Sequence, residues 1–283
     1  MKKFLDKHVR MHFRRLGRLR WMTKRRVLRR SGINIREQPG VGLPYLLWDP
    51  EVCSFTYEIS NQDELATVLA RILERNTGDV QAAIAEGTSD PEFVERLRLR
   101  MRFAFRYKHR VHLNGQQLAT WALVRLLRPK VVVETGVLDG LGSLVALRAL
   151  ELNRAEGHDG VLMSFDGVAG SGWLVPDSLK SGWRFIEELT TVALERELKG
   201  LRVDMFIHDT DPSAEHQRWE FQVALRHAAE RIVLFAASDW GPALREVAVE
   251  AGGRYEQFVD APRNHFYGGA RLGFATVGVG GAG

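Results

Sequence analysis

A chain of 283 residues, 45% hydrophobic and 27% charged, has room for one sizeable core with an appendage or two small ones, and its composition excludes a disordered or fibrous protein. One cysteine, Cys53, excludes an internal disulfide and a cysteine-based zinc site, and fits a reducing compartment. No run of about 18 apolar residues is present to span a bilayer, and the first thirty residues lack the apolar core of a secretory signal, so a cytoplasmic protein is expected.

The net charge of +5 hides an uneven distribution. Residues 1–30 carry 13 Lys or Arg against one acid, Asp6, leaving the other 253 residues with a net charge of −7. Within this arm Leu5, Val9, Phe13, Leu16 and Leu19 recur at three- or four-residue spacing, the pattern of a basic amphipathic helix. Such a helix suits a partner subunit, the chain's own acidic body, an anionic membrane surface at the cell periphery, or nucleic-acid phosphates. Nucleic acid is the least favoured, because the body is acidic. Oligomer formation stays open.

Residues 31–108 read as a linker followed by a helical cap region. Pro39, Gly40, Gly42, Pro44 and Pro50 break the chain into an irregular stretch. A helix follows over 63–75, capped by Asn61 or Asp63. Asp90-Pro91-Glu92 marks another start, with Asp as N-cap and Pro in the first helical position. The stretch 95–110 then sets alternating arginines against Phe93, Leu97, Met101 and Phe105 at four-residue spacing, and the cap decides for a helix. A helix over 116–127, ended by Arg128-Pro129, leads into the first strand.

Val131–Ser143, VVVETGVLDGLGS, carries the most information. The β-branched run Val131–Glu134 reads as a buried parallel strand. Gly136, Gly140 and Gly142 then allow close approach of the backbone, and a helix over 143–153 points its free N–H groups into the same crevice. A nicotinamide loop requires G-x-G-x-x-G directly after the strand. Here the order is E-x-G-x-x-x-G-x-G, with an acid at the strand end, a poor neighbour for phosphate and a good one for a cationic or amino-bearing ligand. No Gly-Lys-Ser/Thr follows, which excludes a P-loop.

Further strands over 160–166, 202–209 and 231–239 end in Asp166, Asp209 and Asp239, lining up carboxylates on the edge where open α/β sheets bind ligands. Asp166 is positioned to accept ribose hydroxyls. A loop over 173–184 offers Trp173 and Trp183 for stacking on an acceptor, or for packing. After a strand near 184–186, Glu187 or Glu188 is placed to meet an adenine amino group. Strands over 255–261 and 272–277 close one edge antiparallel, the domain that carries these strands being bounded at 109–277 and a flexible tail at 278–283.

The glycine turn resembles the first motif of class I S-adenosylmethionine-dependent methyltransferases. Gly172-Trp-Leu-Val-Pro-Asp, Trp183 and Phe206–Phe221 (FIHDTDPSAEHQRWEF) are similar to the cephalosporin-hydroxylase-like, or methyltransferase-24, group. The resemblance implies a Rossmann-like α/β fold: a seven-stranded, mostly parallel sheet with helices on both faces, preceded by a helical region. It also implies transfer of a methyl group from S-adenosyl-L-methionine to an oxygen, in several members with a divalent metal. Glu134 would lie near the methionine part, and Glu134, Gly136, Gly140, Ser143 and Asp166 become the candidate cofactor residues, with Glu188 at the adenine.

Asp209 and Asp239 are the candidate Mg²⁺ ligands, the rival role being cap and turn duty. Asp211 is a further ligand or an Asx turn. Asp209 and His216 are the catalytic candidates, His216 falling on the first turns of the next helix. His208 points to the opposite face of its strand from Asp209 and reads as structural. Pro212 and Trp240 stand where relatives carry a His and often an acid. The expected activity is O-methylation of a small molecule, sugar or glycan. The rival readings are a nucleic-acid-binding or -modifying protein and a catalytically degenerate relative.

Overall fold

The computed structural model describes residues 57–101, 112–263 and 268–278. The basic arm, the Gly/Pro linker, the second half of the arginine-rich helix and the tail after Gly278 lie outside these residues. Three helices come first: α1 (Gln62–Leu73), α2 (Thr77–Ser89) and α3 (Pro91–Met101). Then follow α4 (Gly115–Leu127), β1 (Val131–Thr135), α5 (Leu141–Ala155), β2 (Val161–Phe165), β3 (Trp183–Ile186), α6 (Thr190–Leu198) and β4 (Val203–His208). The chain ends with α7 (Ala214–Arg226), β5 (Ala228–Ala236), α8 (Ala243–Glu250), β6 (Arg254–Val259) and β7 (Arg271–Gly278).

The strands form one sheet in the order β3-β2-β1-β4-β5-β7-β6. All are parallel except β7, which enters antiparallel between β5 and β6. This is the expected Rossmann-like methyltransferase architecture. Its crossovers place the ends of β1 through β6 on one edge, and because β7 runs backwards it starts at that same edge.

Strand residues alternate between two cores, as the two-residue period of a pleated strand demands. Val132, Leu162, Met205, Val233 and Phe274 face α1 to α5, whereas Val133, Met163, Phe206, Leu234 and Ala275 face α6 to α8. The first core takes in Leu65, Leu69 and Ile72 of α1 and Phe93 of α3, so the preceding helices share the sheet's own interior. Phe93 packs on Trp121 of α4 with ring centroids 5.5 Å apart.

Local sequence explains the helix ends. Asp90 accepts from the Phe93 amide and so caps α3 as its Asp-Pro start predicts. Asn114 and Gln117 form a reciprocal capping box at α4, and Arg128, left-handed at φ 50°, ends that helix before Pro129. Helix α2 was not anticipated. Asn76 caps it through the Gly78 amide, a short-range signal obscured by the chain's many polar residues.

Buried arginines fasten the cap region to the sheet domain. Arg148 of α5 meets Asp90 at 2.9 Å, with side chains only 10% and 7% exposed. Arg125 of α4 ties Glu86 of α2 to Glu156 after α5.

Candidate active site at the carboxyl edge of the sheet

The β1 turn is built by close approach of main chains. Gly136 has φ +82°, and a Cβ there would sit 2.1 Å from the Asp209 carbonyl oxygen. Gly140 has φ +90°, and its Cβ would meet Gly172 at 2.7 Å. Both glycines are thus demanded by the chain's own packing, whatever the ligand. The second contact belongs to the loop after β2, whose Gly172 and Leu174 amides donate to the Leu138 and Asp139 carbonyls.

Beneath the turn lies Glu134, 3% exposed. Its Oε2 accepts from Ser143 of α5 and from Ser164 of β2, and Ser164 Oγ accepts in turn from Trp183 Nε1 at 2.9 Å. Burial raises the Glu134 carboxyl to about 7; the two serine bonds oppose that rise and the charges of Asp209 and Asp166 add to it. Glu134 and Ser143 therefore face one another inside the protein, locking β1, β2 and α5 together. Trp183 belongs to β3 and to this network, and does not line an open loop.

Asp166 spans the ends of β1 and β2. Its Oδ2 accepts from the Val137 and Leu138 amides at 3.0 and 2.9 Å, and its Oδ1 accepts from the Val168 amide at 2.8 Å. A carboxylate oxygen has two lone pairs, so Oδ2 is filled and Oδ1 keeps one acceptor position. That suits one ribose hydroxyl, where the sequence suggested a grip on both. Glu188 turns outward to Arg196 of α6 at 2.7 Å on the exposed surface.

At the end of β4 the Asp209 carboxyl is reachable by solvent yet ringed by protein, and this crowding pushes it up to about 6. Gln116, in the first turn of α4, donates to Oδ2 at 2.8 Å and opposes the rise. The Asp209 amide donates to the Thr135 carbonyl, so the carboxyl stands directly beside the β1 turn.

His216 lies elsewhere, in a group centred on Glu220 of α7. Glu220 is fully buried and meets His208 Nδ1 and His216 Nε2 at 2.8 Å each, with Thr135 Oγ1 donating at 2.6 Å and Thr210 Oγ1 at 3.2 Å. Burial alone would raise the Glu220 carboxyl, but the bonds from the two histidines outweigh it and hold it down at about 2. The His216 imidazole is raised, first by its bond to Glu220. His208 is buried and structural, as expected. Glu220 and Gln116 were not singled out in the sequence; Glu220 does fall four residues after His216, the spacing that places two side chains together on a helix.

The metal candidates do not converge. Asp239 is buried and accepts from Tyr255 Oη and from Gln257 Nε2 at 3.0 Å, both on β6. Among the described residues no three His, Cys, Asp or Glu side chains are grouped to hold an ion. Asp211 accepts from the Ser213 amide at 2.9 Å, the Asx turn already allowed for it. This donor set does not fit Mg²⁺.

Large apolar side chains stay exposed along this edge: Leu138, Val168, Trp173, Leu189 and Trp240, all on loops leaving carboxyl ends of strands. No helix of the described residues is long and apolar enough to cross a membrane.

Comparison with known proteins gives a family match and several structural likenesses. The family model described as a methyltransferase domain (Methyltransf_24) matches residues 133–236, from β1 to the end of β5. No curated protein matches the chain. A putative O-methyltransferase from Klebsiella pneumoniae is 18% identical, with a TM-score of 0.48 over 68% of this chain and 91% of that one. The cofactor-bound protein Rv0187 from MTB is 15% identical, with a TM-score of 0.49 over 69% and 95%. The Bacillus cereus O-methyltransferase in complex with SAH is 13% identical, with a TM-score of 0.46 over 70% and 99%. Residues 133–236, on a seven-stranded sheet parallel but for β7, are similar to the methyltransferase domain that this family model describes.

Proposed function

We propose that this chain transfers the methyl group of S-adenosyl-L-methionine to a hydroxyl of a small molecule, sugar or glycan, with Asp209 taking the hydroxyl proton. The observation that carries the reading is Asp209 itself: a solvent-reachable carboxylate beside the β1 turn, raised to about 6 and oriented by Gln116. A base with that pKa is ionised at neutral pH and accepts a proton more readily than an ordinary aspartate.

The residues present fit the cofactor. Asp166 Oδ1 has an acceptor position for a ribose hydroxyl, and exposed Val168 and Leu189 offer apolar cover for a purine ring. Leu189 is held close to that site, since a Cβ on Gly167 would touch its Cδ2 at 2.5 Å. When bound, the cofactor supplies an electrophilic sulfonium methyl. Asp209 and Gln116 then hold the acceptor oxygen in line, and exclusion of water by Leu138, Trp173 and Trp240 strengthens the proton transfer. His216 is bonded to Glu220, which itself accepts from Thr210 in the loop between β4 and α7.

Calorimetric binding of S-adenosylhomocysteine tests the cofactor, and turnover of Asp209→Asn tests the base. Retained cofactor affinity with turnover lowered by about 10²- to 10⁴-fold supports the assignment. Unchanged turnover removes Asp209 from the chemistry.

A further inference from the structure

Four buried side-chain atoms have no hydrogen-bond partner among the described residues: His208 Nε2, Asp239 Oδ1, Asp260 Oδ1 and Arg271 Nε. His208, Asp239 and Asp260 stand at the carboxyl ends of β4, β5 and β6, and Arg271 opens β7 at the same edge. His208, Asp239 and Asp260 are each held through another atom, by Glu220, by Tyr255 and Gln257, and by Tyr57, as buried polar side chains normally are.

Arg271 is the distinctive member. Its carbonyl accepts from the Asp239 amide, fixing it beside the end of β5. Its guanidinium carbon lies 5.2 Å from the ring centroid of Trp240, an exposed indole, in a cation–π contact. Asp239 spends its Oδ2 on Tyr255 and Gln257 and forms no ion pair with Arg271. The other arginines with described side chains either pair with an acid, as Arg148 and Arg125 do, or lie exposed, as Arg75, Arg202 and Arg245 do. Arg271 is half-buried and, among the described residues, has no acidic partner and keeps an unused N–H.

We propose that Arg271, backed by Trp240, binds an oxyanion on the methyl acceptor, so that the acceptor is an acidic molecule bearing a carboxylate or phosphate. The guanidinium fork matches either group with two parallel N–H bonds, and the indole face holds the plane of the fork. The position suits a substrate contact. Strand β7 lies two strands from β4, on the order of 10 Å, and side-chain reach shortens that span. One small molecule can therefore set a hydroxyl at Asp209 and an anionic group at Arg271. A hydroxylated aromatic acid or a uronic acid has the required size. The inference rests on the methyl-transfer reading for the identity of the ligand as acceptor, but anion binding is measurable without it.

The test uses the full chain and four probes, benzoate and phenyl phosphate against the neutral benzamide and benzyl alcohol, titrated with and without S-adenosylhomocysteine. The expected result is at least tenfold tighter binding of the anions than of their neutral counterparts. In Arg271→Gln that preference disappears, and in Arg271→Lys, which keeps the charge without the fork, it survives in part. Circular dichroism melts check the fold; if the Gln variant is unfolded, the Lys variant and Trp240→Ala are read instead, each expected to weaken the anions and spare the neutral probes. Equal binding of anions and neutral analogues, no anion binding by the native chain, or a variant with the native preference each overturns the proposal. Failure of S-adenosylhomocysteine to bind overturns the methyl-transfer reading and leaves the anion titrations interpretable.

Discussion

Replacing Glu134 with Gln converts the carboxyl beneath the β1 turn into a neutral amide of nearly the same shape. In the native protein burial raises this group from 4.5 to about 7. Between those pH values the native state holds a proton that the unfolded chain releases, so stability falls as pH rises through the window. The difference of two to three pKa units corresponds to about 3 kcal/mol, fully expressed above pH 7 and absent below 4.5. Glu134→Gln carries no such proton. Its stability relative to the native protein should therefore improve by about 3 kcal/mol between pH 4.5 and 8, or about 6–12 °C in melting temperature for a chain of this size. Asp209 and Asp260, both raised to about 6, act in the same direction but are present in both proteins, so most of their effect cancels in the difference. Urea unfolding followed by tryptophan fluorescence at the two pH values measures it. A stability difference that does not change with pH would refute the account of Glu134 as a buried acid neutral near pH 6.

Other outcomes follow from the same geometry. In the pH profile of kcat/KM, the acidic limb near pH 6 expected from Asp209 should vanish from the residual activity of Asp209→Asn; a limb that persists assigns it to another group. Glu220→Ala leaves His208, His216 and Thr135 without their shared acceptor and should cost about 3–5 kcal/mol, read by urea unfolding at pH 7. Because Glu220 is held at about 2, its stabilisation is present above pH 4.5 and is lost as pH falls toward 2, so the variant should lose the corresponding part of the native acid-unfolding slope. Gly136→Ala combines a left-handed backbone with a clash against the Asp209 carbonyl, whereas Gly157→Ala has φ +87° and open space around it. Melting curves should show Gly136→Ala to be the more damaging of the two; equal losses would mean that φ alone matters at both positions.

The order of helices and parallel strands was legible in the sequence because it is written in short-range patterns. The β-branched run of β1, the Asp90-Pro91 start of α3 and the acids closing β1, β2 and β4 depend on neighbours a few residues away. Boundaries moved by a few residues, and α2 was overlooked because its apolar stripe is thin, with Val80, Ala83 and Ile84 as its buried hydrophobic residues. The same local patterns singled out Asp209 and the glycine turn as candidates. Partner choice among side chains was not legible, since it depends on which distant segments the sheet brings together. Glu134 meets Ser164 from the next strand, Asp166 caps a turn 28 and 29 residues earlier, and Asp239 is claimed by Tyr255 and Gln257 of a strand that follows it. Whether a strand-end acid faces ligand or protein is thus decided by the packing around it. For the same reason the position of Arg271, without an acidic partner among the described residues, shows only in the folded chain, where β7 runs backwards and delivers its first residue to the edge at which the other strands end.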